Sequence, residues 1–220
     1  MRVNPTDEEY LQTYLELQED GIRPIGARLA ERLGISAAAV SEGMHRLINR
    51  GLAEERDKMF ALTPSGEEAG RTVIRRHRLA ECFLVDILGL RWERAHPEAA
   101  RWEHALSDDV EQRIIDMLDD PPVCPHGNPI PGSKRALPAE PSLPLTESAS
   151  GTMRLVRISE QAQVDEVAIE FLANTGLLPG AILDVLPAEG APSPGIVVRS
   201  DKGECMVPVA TAALLWVTPA

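Results

Sequence analysis

Apolar positions in the first seventy residues recur at helical spacing in three short runs, each closed by a turn residue. Tyr10, Leu11, Tyr14, Leu15 and Leu17 line one side of a helix. Thr6 predicts its N-cap, with Glu9 three residues later as the answering member of a capping box, and Gly21 predicts its end. The second run, Ile25 to Leu33, turns Leu29, Ala30 and Leu33 inward and stops at Gly34. Ser36 then caps a third helix with Val40, Met44, Leu47 and Ile48 on its apolar face. Two short helices joined through a glycine predict a helix-turn-helix. Two strand-like pieces around the charged turn Arg56-Asp57-Lys58 predict the winged form, so residues 1–70 read as a DNA-binding domain.

The period lengthens after this. One long helix is expected from Arg71 to Gly89, and a second from Pro97 to about Leu118. Their apolar faces, among them Val73, Ile74, Phe83, Leu84, Leu88, Val110, Ile114 and Leu118, exceed what one helical pair can bury, so part of this surface is expected to form a homodimer interface. Residues 71–132 therefore read as a helical domain that ends in the irregular, proline-rich PPVCPHGNPIPG. Residues 133–151 are rich in Pro, Ser and Ala with no apolar period and read as a linker. From residue 152 to 220, short apolar or alternating segments predict a small β-barrel, interrupted by one helix near Val164 to Asn174. The expected fold class is mainly α with a small β domain at the end.

Chemistry concentrates between Arg75 and Glu111. His77 and Glu81 stand one turn apart on the long helix, His96 precedes the next one, and Glu103 and His104 follow about two turns on. Imidazoles and carboxylates spaced in this way on neighbouring helices are what a divalent cation requires. Each residue alone has an ordinary explanation as a solvated or helix-flanking side chain; the grouping favours metal. Cys124 and His126 could add ligands, though prolines packing a loop explain them equally well. Glu9 reads as a cap partner or as a carboxylate reaching toward the cluster.

Charge and composition narrow the function. A net charge of −12 argues against a protein that coats nucleic acid over its whole surface, yet residues 23 to 50 hold five arginines against two acids. Arg28 and Arg46 are candidate phosphate contacts. Ser36, Ala38, Ala39, Ser41 and Glu42, pointing away from the core of the third helix, are candidate base contacts in the major groove. Only eight aromatic residues speak against single-strand binding by stacking. Three cysteines without CxxC spacing predict reduced thiols. With no signal-type start and no run of eighteen apolar residues, the expected location is cytoplasmic, away from membranes.

The order of a winged helix, HRLAE, H-x-E-A-x-R-W-E-H-x-x-S-D-x-V-E, GNPIPG and a small β-barrel resembles the diphtheria toxin repressor family of metal-dependent transcriptional regulators over nearly the whole chain. The resemblance implies an SH3-like terminal domain and a homodimer that takes up Fe(II) or Mn(II), grips a palindromic double-stranded operator and represses metal-uptake genes. It implies an ancillary metal site of His77, Glu81 and His96 with Asp165, the fifth position being Ala168. It implies a primary site of Glu9, Glu103 and His104, with Ala100 where a further ligand stands in other members. Arg78 and Asn128 match residues that hold an anion beside the ancillary metal. With no sulfur at the primary site, Mn(II) is the expected effector and Fe(II) a substitute. An iron-dependent regulator of the same family is the near alternative. A metal-dependent hydrolase, for which the chain lacks HExxH and a nucleophile elbow, and a dimeric metal buffer are the distant ones.

Overall fold

Asn4 and Pro5, rather than Thr6, begin the first helix of the computed structural model, which describes residues 3–56, 59–135, 141–187 and 194–220. In α1 (Pro5–Glu19) the Asn4 side chain accepts from the Asp7 amide at 2.9 Å and Pro5 takes the opening position, where a missing N–H costs nothing. Thr6 thus falls inside the first turn and Glu9 is left exposed. α2 (Gly26–Leu33) stops at Gly34, and α3 (Ala37–Asn49) is capped by Ser36, which accepts from the Ala39 amide at 3.2 Å, both as expected. β1 (Ala53–Arg56) and β2 (Met59–Leu62) pair antiparallel to form the wing; the expected turn residues Asp57 and Lys58 lie outside the described residues.

The chain divides into two compact units. The first comprises residues 1–77 with 102–106, the second 78–101 with 107–220. In the first, Leu11, Leu17, Leu29, Met44 and Leu47 form a buried core that holds α1, α2, α3 and the wing together. Tyr10 closes it over Gly43: a Cβ at Gly43 would lie 2.3 Å from the tyrosine ring, so only glycine permits this approach of α1 to α3. The Tyr10 hydroxyl donates to the Ala39 carbonyl at 3.0 Å.

α4 (Pro64–Cys82) starts seven residues before the expected Arg71, because Thr63 accepts from the Gly66 amide and Pro64 suits the first position. It runs on as a π-helical turn, Phe83–Ile87, before Gly89 ends it. The helix expected from Pro97 to Leu118 is two helices, α5 (Ala95–Trp102) and α6 (Asp108–Met117). Ser107 breaks the run by taking extended backbone and accepting from the Val110 amide, ahead of Asp108 and Asp109, acids that suit a helix start. His96 accordingly lies in the first turn of α5.

The second unit is built on one antiparallel sheet. Strands β3 (Leu143–Pro144), β4 (Gly151–Ile158), β5 (Ile182–Val185), β6 (Gly195–Ser200), β7 (Gly203–Pro208) and β8 (Leu215–Pro219) lie in the order β3-β8-β4-β5-β6-β7. Among the described residues no pairing joins β3 to β7, so the sheet is open where a closed barrel was expected. The segment read as a linker over 133–151 also supplies structure: Leu143 pairs with Val217 and Leu145 is fully buried in the sheet core. The single helix expected near Val164 to Asn174 is α7 (Glu160–Val164) and α8 (Glu166–Thr175), divided where Asp165 caps the second. α9 (Val209–Ala212) precedes the last strand. Among the described residues no helix is long and apolar enough to cross a membrane.

Candidate metal centres and nucleic-acid face

In the first unit a line of acids and imidazoles joins α1, α4 and the turn after α5. Glu8 Oε2 lies 2.6 Å from His104 Nδ1, His104 Nε2 lies 3.3 Å from Glu103 Oε1, and Glu103 Oε2 lies 2.5 Å from His77 Nδ1. Glu103 and His77 are buried. The acid from α1 is Glu8, not the expected Glu9, which faces outward. The buried positions Tyr10, Leu11, Tyr14 and Leu17 set this phase, which leaves Glu8 partly buried and Glu9 exposed.

In the second unit Glu81 on α4, His96 on α5 and Glu160 on α7 bring one ligand atom each within 4.8 Å of one another. His96 Nδ1 sits 3.5 Å from Glu81 and 3.3 Å from Glu160. His77 stands one turn before Glu81 on α4. Glu81 is also common to a second group with Cys124 and His126, all three buried. His126 Nδ1 faces Glu81 Oε1 at 3.2 Å outside hydrogen-bonding alignment, and neither ring nitrogen makes a hydrogen bond, although the residue is fully buried. The Trp92 ring tilts over it at 4.6 Å. Buried imidazole nitrogens normally find partners, so this ring is presented as a ligand would be.

The surroundings favour a cation. Two buried carboxylates, Glu81 and Glu160, stand beside one buried guanidinium, Arg78, whose Nε donates to Glu160 at 3.1 Å. Burial, reinforced by Glu81 and Glu160, pushes the Cys124 thiol well above its usual range, so at neutral pH it stays protonated until a metal displaces the proton. Carboxylates, imidazoles and one thiol make a donor set that accepts a divalent transition metal.

Asp165, expected here, is elsewhere. It is exposed, and its carboxylate accepts from the Val167 and Ala168 amides at 3.0 and 3.1 Å as a helix cap. Glu160, five residues earlier at the switch from β4 to α7, reaches the cluster instead. Arg78 and Asn128 are both fully buried. Arg78 is held by Glu160 and the Pro129 carbonyl, while Asn128 donates to the Ile158 carbonyl and accepts from Arg157. Gly127, at φ 82, lets this loop approach β4: a Cβ there would lie 2.1 Å from the Val156 carbonyl oxygen.

On α3, Ser36, Ala38 and Glu42 are exposed and Ala39 and Ser41 partly so. His45 and Asn49 continue the exposed stripe at helical spacing from Glu42 and were missed by the sequence reading. Arg28 is exposed beside Glu31 at 2.7 Å. Arg46, expected to touch phosphate, turns back to Asp7 at 2.7 Å.

Residues 3–58 match the family model described as the iron dependent repressor N-terminal DNA binding domain, and residues 63–132 match the iron dependent repressor metal binding and dimerisation domain. The chain belongs to the iron-dependent repressor family. Curated relatives of this repressor-family chain include the iron-dependent repressor IdeR of Mycobacterium tuberculosis, 39% identical and covering 88% of this chain and 87% of its own. The diphtheria toxin repressor of Corynebacterium glutamicum is 40% identical, over 84% and 85% of the two chains. Among solved structures, a manganese-dependent transcriptional repressor in complex with manganese superposes with a TM-score of 0.84 at 34% identity, over 97% of this repressor-family chain and 100% of the other.

Proposed function

We propose that this protein is a metal-activated transcriptional repressor that binds a palindromic operator as a homodimer and controls metal-uptake genes. The observation that carries the reading is the buried grouping of Glu81 with His96 and Glu160 on one side and with Cys124 and His126 on the other. Glu8, Glu103 and His104 would hold a further ion. A divalent cation supplies these groups with a fixed positive centre that cross-links elements otherwise holding like charges together. Glu81, His96, Glu160, Cys124 and His126 orient four segments toward it: α4, α5, the loop at 121–132 and α7. Glu8 and His104 tie the first turn of α1 to the turn after α5, the α1 from which Tyr10 and Asp7 brace the recognition helix α3.

Exposed Ile87, Leu88, Val110 and Met117 support a second copy of the chain covering the helical segment. Metal and operator then raise one another's affinity, since each favours the same arrangement. Mn(II) is the effector that the oxygen and nitrogen donors at Glu8, Glu103, His104, His96 and Glu160 favour, with Fe(II) a competent substitute. The single sulfur, Cys124, favours Fe(II) at its own group and keeps the iron reading alive.

Fluorescence anisotropy with duplexes from the protein's own upstream region and from metal-transporter promoters tests this. Binding is expected to be tight with Mn(II) and to collapse with a chelator. Equal affinity in both conditions removes metal from the mechanism, and no binding to any duplex removes the repressor reading.

A further inference from the structure

The arginine-rich stretch around the recognition helix is largely paired with carboxylates. Four of its five arginines meet carboxylates: Arg28 with Glu31, Arg32 with Asp20, and both Arg46 and Arg50 with Asp7. The last pairing is unlike the others. Asp7 is completely buried, whereas the Arg46 and Arg50 side chains keep 41% and 23% of their exposure. Arg46 Nε donates to one carboxylate oxygen at 2.7 Å and Arg50 Nη1 donates to the other, so a single carboxylate caps two cations that stand one helical turn apart at the C-terminal end of α3. Asn4 Nδ2 donates to Asp7 at 3.0 Å and the Asn4 side chain accepts its amide, which fixes the carboxylate from the α1 side. The hydrogen bond to Asp7 raises the Arg46 guanidinium above its usual range. An oxyanion bound by two arginines is the geometry in which a DNA phosphate is held.

We propose that Asp7 acts as a built-in phosphate substitute: it holds Arg46 and Arg50 out of backbone contact, fixes the recognition helix to α1, and thereby lowers affinity for DNA of arbitrary sequence relative to the operator. The inference rests on the DNA-binding reading above. Asp7 is a positioning residue in this scheme, acting through the two arginines. Sequence-independent affinity scales with the cations that reach phosphates, and each contact contributes about −0.9 to the slope of log K against log salt. A duplex therefore gains no counterion release from Arg46 or Arg50 while Asp7 occupies them.

The test uses the full-length protein loaded with Mn(II), with Asp7→Asn compared against Glu68→Gln, which removes one exposed acid elsewhere in the same unit. Two readouts are taken: the salt slope on a non-operator duplex, and the salt concentration that elutes each variant from immobilised heparin, a polyanion with no operator. Asp7→Asn is expected to steepen the slope by about one to two, to elute later than Glu68→Gln, and to shrink the ratio of operator to non-operator affinity. A slope and elution matching Glu68→Gln overturn the proposal. The heparin arm keeps that result distinct from a failure of the repressor reading, since it needs no operator. Should Asp7→Asn not fold, Arg50→Gln answers instead: its slope is expected to equal that of the unsubstituted protein while Arg28→Gln loses about one. A loss of about one for Arg50→Gln as well overturns the proposal.

Discussion

Glu160 has two duties, and its substitutions separate them. One oxygen accepts from the buried Arg78 and the other faces His96. Glu160→Ala removes the carboxylate opposite a buried guanidinium and is expected to lower the stability of the metal-free protein by about 3–5 kcal/mol in urea unfolding. Glu160→Gln keeps the shape and an acceptor, so its larger effect is expected on Mn(II) affinity, a loss of tenfold or more by titration calorimetry. Unaltered Mn(II) affinity in both variants would take Glu160 out of the ligand set. The neighbouring glutamates of α1 divide in the same manner. Glu8→Gln is expected to weaken metal binding near His104, whereas Glu9→Gln, altering an exposed residue, leaves it within error; the reverse order would restore the assignment that the family resemblance implied. Cys124 offers a third reading at this scale. Because burial keeps its thiol protonated at neutral pH, ligation by its sulfur must release a proton. Calorimetry in buffers of different ionisation enthalpy should register one proton more per protein than in Cys124→Ser, and equal release means the sulfur does not bind.

The contact of α1 with α3 is where an element depends on one position. Gly43→Ala places a methyl into the Tyr10 ring and is expected to cost about 1–3 kcal/mol of stability. Operator affinity should fall with it, since the helix displaced is the one proposed to face DNA; anisotropy and thermal unfolding on the same sample check both, and an unchanged midpoint would show that the ring simply moves aside. Helices α2 and α3 and the wing were legible because glycines, Ser36 and a clean period mark their ends. The start of α1 was misplaced because Asn4-Pro5 and Thr6 both satisfy capping rules and only packing decides between them. The break between α5 and α6 was hidden because Glu103 to Ser107 continues an apolar period through Trp102 and Leu106. Asp165 and Glu160 show the remaining limit: which carboxylate of the sheet domain turns toward His96 depends on where β4 gives way to α7, and no local pattern states that. Leu143 and Leu145 escaped notice because prolines surround them, yet both belong to the sheet domain.

For the molecule as a whole, metal should act as a stabiliser as well as a signal. Ligand at a hundred times its dissociation constant adds about 2.7 kcal/mol to a folded state that alone binds it. The unfolding midpoint is therefore expected to rise with added Mn(II) and fall in chelator, by several degrees in a chain of this size; a midpoint indifferent to both would mean that no folded site exists. The curve of response against metal concentration follows from a detail of α4. Glu81 belongs to both groups, with His96 and Glu160 on one side and Cys124 and His126 on the other. Filling one group would commit that carboxylate to a fixed cation and leave less negative charge for the other. Two ions joined through one shared side chain would not load independently. Occupancy is expected to climb less steeply than a simple hyperbola, with an apparent Hill coefficient below one that rises in His126→Ala. A cell reading metal through such a bridge would see a gradient over a wide range of concentration rather than a threshold.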